Sequence, residues 1–167
     1  MLLAQSLFAT GQYEEAAGAT QAGMQMLPED KWGIVISKYA EVYGNIQDYT
    51  NQLKSLEKAR DAKPDSPALR FLLGFHFGYL GYPKQAVKEL DKALTLAPKD
   101  LGSRKIRDIF AAKWPEAPPL PAAAVEAAKE ASGRPSGAQN QAAPDNQAPE
   151  ANVPAGVASD ELGTPSF

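Results

Sequence analysis

From Leu69 to Leu80 the chain reads LRFLLGFHFGYL, with apolar residues on every face of a helix instead of along one stripe. A helix of that kind needs neighbours all round, so the pattern predicts a central helix enclosed by others. The next stretch, KQAVKELDKALTLA from Lys84, is amphipathic: Ala86, Val87, Leu90, Ala93, Leu94 and Leu96 share one side, and Lys84, Lys88, Asp91 and Lys92 the other. Pro83 suits a first helical turn and Pro98 a stop, so the two stretches predict a helical hairpin turned at Gly81. After Asp100, LGSRKIRDIFAAKW spaces Leu101, Ile106, Ile109 and Phe110 opposite Arg104, Lys105, Arg107 and Asp108, a further amphipathic helix able to cover the hairpin.

The hairpin pattern recurs. Gly11, Ala16, Met24, Met26, Pro28 and Asp30 each stand 70 residues before Gly81, Ala86, Leu94, Leu96, Pro98 and Asp100. Seventy is two units of about 35, which predicts a third copy between them. QDYTNQLKSLEKARDAKPDS fills that gap, with Tyr49 answering Tyr13, Ala59 answering Ala93 and Pro64 answering Pro28 and Pro98.

These units resemble the tetratricopeptide repeat family, whose repeats pair two antiparallel helices. The best match runs from Pro67 to Asp100: Leu73 and Gly74 on the first helix, Gly81 at the turn, Ala86 and Ala93 on the second helix, and the closing Pro98. Arg70 departs from the pattern, standing where the family usually has tryptophan. In the middle unit Gln52 replaces an alanine and two extra residues fall around EDKWG; in the first, Met1 lies about four residues inside the first helix. The resemblance implies an all-α fold: a right-handed α-solenoid of about three hairpins (repeats about 1–30, 31–66 and 67–100) with a capping helix over 101–114.

Beyond Trp114 the pattern stops. The last 53 residues hold nine of the fourteen prolines and fourteen alanines, with Phe167 as the sole aromatic. Such a segment buries too little apolar surface to offset chain entropy, so 115–167 is expected to be a disordered Pro/Ala-rich tail. Within it PAAAVEAAKEASG favours a helix from Pro121 to Gly133, too short to hold alone. Pro118 to Pro121 reads PPLP, similar to the proline-rich ligands of SH3 and WW modules but equally a plain spacer.

Composition removes several classes of function. The net charge of −3 supplies no basic stripe for phosphates, so no nucleic-acid partner is expected. There is no cysteine, which excludes disulfides, thiolate metal sites and cysteine nucleophiles. The apolar start MLLAQSLFAT lacks a basic flank and is broken by Gln5 and Ser6, so no export signal is expected, and no stretch is long enough for a membrane span. His76, the one histidine, lies between Phe75 and Phe77 and reads as a packed residue, while Gly74 and Gly78 read as points of close helix approach. Neither a cofactor nor a catalytic residue is expected.

The family resemblance implies a concave groove lined by the first helices, taking an extended peptide or a helix of a protein partner. Carried over to this chain, it gives Ser37, Glu41 and Asn45 from the middle unit, and Phe71, Phe75 and Tyr79 from the third. The last three sit four apart on one helix face, a stripe for apolar side chains beside Gly78, which leaves room for a partner backbone. A stripe of that spacing is equally a core face. The expected function is noncatalytic protein–protein interaction, as an adaptor or scaffold; the alternative is a C-terminal structural segment capping a longer solenoid. The incomplete first unit also leaves self-association open.

Overall fold

The computed structural model describes residues 1–132, and all regular structure among them is helical. A first hairpin pairs α1 (Leu2–Ala9) with α2 (Tyr13–Met26). A 3-10 turn at Glu29–Lys31 leads to two four-residue pieces, α3 (Ile34–Ser37) and α4 (Tyr39–Val42), and then to α5 (Ile46–Ala62). A second hairpin pairs α6 (Pro67–Tyr79) with α7 (Pro83–Leu96), and α8 (Leu101–Ala111) and α9 (Ala122–Ser132) follow.

The helix starts are set by local chemistry. Ser66 caps α6 by accepting a hydrogen bond from the Leu69 amide, and Pro67 occupies the first turn. Asp100 caps α8 through the Ser103 amide at 3.1 Å and also accepts from the Ser103 hydroxyl at 2.6 Å. Helix α7 opens at Pro83 and ends at Leu96, two residues before Pro98, as the sequence pattern predicts.

The 70-residue offset holds at the level of single hydrogen bonds. Gly11 and Gly81 turn the two hairpins with φ of 79° and 86°, a left-handed conformation that a side chain would strain. Gly11 N donates to Phe8 O at 3.1 Å and Gly81 N to Gly78 O at 3.3 Å; Gln12 N donates to Leu7 O and Tyr82 N to Phe77 O, each at 2.9 Å. The two hairpins are one device made twice.

The middle unit departs from that device. Its first helix breaks at Lys38 (φ −110°, ψ 26°), and its second is entered through extended Tyr43 and Asn45 without a left-handed glycine. The run Ile34, Val35, Ile36, Ser37 has weak helix preference because β-branched side chains lose rotamer freedom there. Tertiary packing therefore decides its path: Trp32, Val35 and Ile36 are buried, and α3 lies on α6. As a result α2 packs directly against α6, with no intact middle hairpin between them.

Helix α6 is enclosed as its all-round apolar pattern requires. Nine of its residues are buried, and α2, α5, α7 and α8 surround it. The Gly74 and Gly78 spacing marks close approach: a Cβ on Gly74 would stand 2.7 Å from Leu90, and one on Gly78 2.0 Å from the Phe110 ring.

The expected domain boundary at Trp114 needs correction, because residues 115–132 are held on the helical body. Arg107 donates to the Pro118 carbonyl and Arg104 to the Ala124 carbonyl, Ala124 is fully buried, and Lys99 pairs with Glu130 at 3.3 Å. An 11-residue alanine-rich helix is marginal alone; here arginine donors and burial hold it. The expectation of disorder for 133–167 lies outside the described residues.

Candidate functional site

The stripe Phe71, Phe75 and Tyr79 forms on one face of α6, with ring centroids 6.0 Å apart for the first pair and 4.9 Å for the second. It is not open. Phe71 and Phe75 are 1% and 3% exposed and belong to the core, and only Tyr79 is half-buried. The space beside Gly78, expected to admit a partner backbone, holds the Phe110 ring of α8, which lies 5.2 Å from that of Tyr79. Gly33 sits so close to Tyr79 that a Cβ there would fall 1.9 Å from the ring. Burial pushes the Tyr79 hydroxyl up to about 12.

The polar candidates serve local structure. Ser37 is exposed and its hydroxyl donates to the Gly33 carbonyl at 2.6 Å. Glu41 pairs with Lys38 at 3.3 Å in solvent, and Asn45 caps α5, accepting from the Gln47 amide at 3.0 Å. The Asn45 cap is a helix-forming role for its side chain.

Arg70 and Gln52, with the buried His76, have polar partners that only the fold brings together. Arg70 is buried; its Nε donates to the Pro64 carbonyl at 3.1 Å and its Nη1 to Glu89 Oε2 at 2.7 Å. The other oxygen of Glu89 accepts from Arg60, so one carboxylate ties α5, α6 and α7 together. Gln52 accepts from the Tyr43 hydroxyl at 2.6 Å, and that hydroxyl accepts from Gln5 at 2.8 Å. His76 is buried and shares a 2.9 Å hydrogen bond with the Tyr49 hydroxyl; burial pulls its pKa down to about 3, so it is neutral at ordinary pH. Among the described residues no group of histidine and carboxylate side chains is arranged to hold a metal ion, and no helix is long and apolar enough to cross a membrane.

An open recess of about 600 Å³ lies between the C-terminal half of α2 and the start of α8. Leu101, 72% exposed, gives it an open apolar wall over the buried Met24 and Trp32, and Gln25 and Lys105 supply side-chain donors. Trp32 is fixed there by its Nε1, which donates to the Leu27 carbonyl at 2.8 Å. Lys105 lies 5.0 Å above the Trp32 ring and pairs with Glu29 at 2.6 Å. Gln21 donates to Asp100 at 2.8 Å, leaving its carbonyl oxygen to accept. Sequence reasoning missed this recess. Its one signal was the tryptophan of EDKWG, set in what reads as a loop.

No family model matches the chain, and neither does any curated protein or solved structure compared with it.

Proposed function

We propose that the chain is a noncatalytic protein-interaction module, a short right-handed solenoid of tetratricopeptide-like hairpins that takes an extended peptide or a helix from a protein partner. The observation that carries this reading is the recess beside Trp32. The exposed Leu101 side chain, with the Gln25 amide and the Lys105 ammonium in the same recess, suits a segment that brings both an apolar side chain and unpaired backbone carbonyls. The buried polar side chains support the same reading, because they are spent on holding helices together: Glu89 on two arginines and His76 on Tyr49. The test is selection of binders from a displayed peptide library against the full chain. Peptides should be enriched whose affinity falls at least about tenfold on Leu101→Asp or Gln25→Ala, the loss of an anchor or a hydrogen bond. Unchanged affinity in both variants would remove the recess from the account.

A second reading, a C-terminal segment of a longer solenoid, is favoured by an asymmetry between the ends. Helices α8 and α9 cover α7, whereas Leu2 and Leu3 of α1 are 69% and 67% exposed. The intact mass of the native protein tests it, since a mass of 17.8 kDa contradicts it and a larger one supports it.

A further inference from the structure

The 70-residue offset maps α1 onto the second half of the α6 sequence: MLLAQSLFA on FLLGFHFGY, with Leu2 and Leu3 standing for Leu72 and Leu73 and Ser6 for His76. The environments of the matched residues are opposite. Leu72 and Leu73 are 1% and 0% exposed and His76 is 2% exposed, whereas Leu2 and Leu3 are about two-thirds exposed and Ser6 is exposed. Leu72 and His76 are one turn apart, on the same side of α6. Over that side lie the preceding hairpin and α5: the Phe8 ring is 4.1 Å from His76, and the Tyr49 hydroxyl bonds to it. Helix α1 has α2, α5 and, through Phe8, α6 as neighbours, but among the described residues no counterpart of the hairpin that covers α6.

We propose that the Leu2, Leu3 and Ser6 face of α1 is a docking surface for another helical hairpin of the α1–α2 kind, stacked on α1 as the α1–α2 hairpin is stacked on α6. This rests on the second reading above and names the element that reading requires. The occupant is identified by the molecule's own repetition: the same device, one period further on, has this face covered by a hairpin that brings an aromatic ring to it. A second copy of the chain cannot supply that hairpin by head-to-tail stacking, because α8 and α9 already cover its α7 end. Ser6, small where α6 carries an imidazole, already donates its hydroxyl to the Leu2 carbonyl at 3.2 Å, so covering it leaves no donor unpaired and lets an apolar ring approach.

The chain is free of cysteine, so a single introduced thiol reports this face directly. A tandem chain would place residues 1–70 ahead of Met1, which continues PALR into MLLAQSLFA and sets α1 of the full chain where α6 normally lies. In the added copy Arg70 is changed to Ala, because the counterpart of Glu89 is Ala19. With Leu3→Cys in the inner copy, thiol labelling should be at least about tenfold slower than with Leu3→Cys in the outer copy, since a packed residue reacts only on local opening. Leu2→Cys repeats the comparison independently. Equal labelling at both positions overturns the proposal, as does a tandem chain with less helix per residue than the native chain. Protection of Leu3→Cys in the native chain together with a dimeric mass also overturns it, because the face would then belong to a second copy. The native-mass measurement can contradict the longer-solenoid reading whatever the labelling shows, so the two failures are distinct.

Discussion

The hydroxyl of Tyr49 and Nδ1 of His76 lie 2.9 Å apart in the interior, joining α5 to the enclosed helix α6. Burial holds His76 neutral down to about pH 3, whereas the unfolded chain takes up this proton near the ordinary 6.5. Between those values the unfolded state binds more protons, so the stability this histidine contributes is complete above pH 6.5 and falls as the pH drops toward 3. The slope from this one group is about 1.4 kcal/mol per pH unit. Urea unfolding at pH 7, 5.5 and 4.5 should show that loss, and His76→Gln should flatten it by one proton's worth. The same slope in both proteins would mean that His76 is not the group.

Glu89 neutralises two guanidinium groups, and the buried Arg70 depends on it. Removing one side of a buried pair leaves an unpaired charge, so Glu89→Ala should cost about 3–5 kcal/mol. Replacing both Arg70 and Glu89 by methionine should cost far less than the sum of the single changes. A double-mutant cycle by chemical denaturation measures the coupling, and additive effects would show that the pair does not act as one.

Two glycines should respond in opposite directions. Gly78→Ala forces a Cβ into the Phe110 ring and should destabilise by about 1–3 kcal/mol. Gly18 lies within α2 with nothing near its missing Cβ, so Gly18→Ala should stabilise by about 0.5–1 kcal/mol. Thermal melts of the two variants decide, and shifts of the same sign would contradict the packing.

Helix α9 should depend on arginines that belong to α8. Arg104→Ala removes the donor to Ala124. Amide exchange in 122–131 should then become fast while α6 and α7 stay protected. Protection unchanged in α9 would mean that burial of Ala124 alone holds it.

Much of this fold was legible because it is written in local spacing. The apolar residues on every face of α6, the amphipathic stripe of α7 and the shared glycine and proline positions each bear on a single helix or turn, and the structure has them. What the sequence hid is long-range. The donors that hold 115–132 are Arg104 and Arg107, which look like the solvated face of α8, so composition alone pointed to disorder. The stripe Phe71, Phe75 and Tyr79 has the same spacing whether it faces solvent or core. What covers it includes Phe110, matched to a glycine 32 residues before it, and no local pattern announces that pairing. Ser37, Glu41 and Asn45 share a face only along a continuous helix, which the β-branched run at Ile34 does not sustain.

The most direct test of the interaction reading is an NMR titration of the full chain with the tightest peptide from the library selection. Amide shifts should cluster at Gln21, Gln25, Leu101 and Lys105, around the recess beside Trp32. Shifts clustered at Ser37, Glu41 and Asn45, with the recess unmoved, would contradict it.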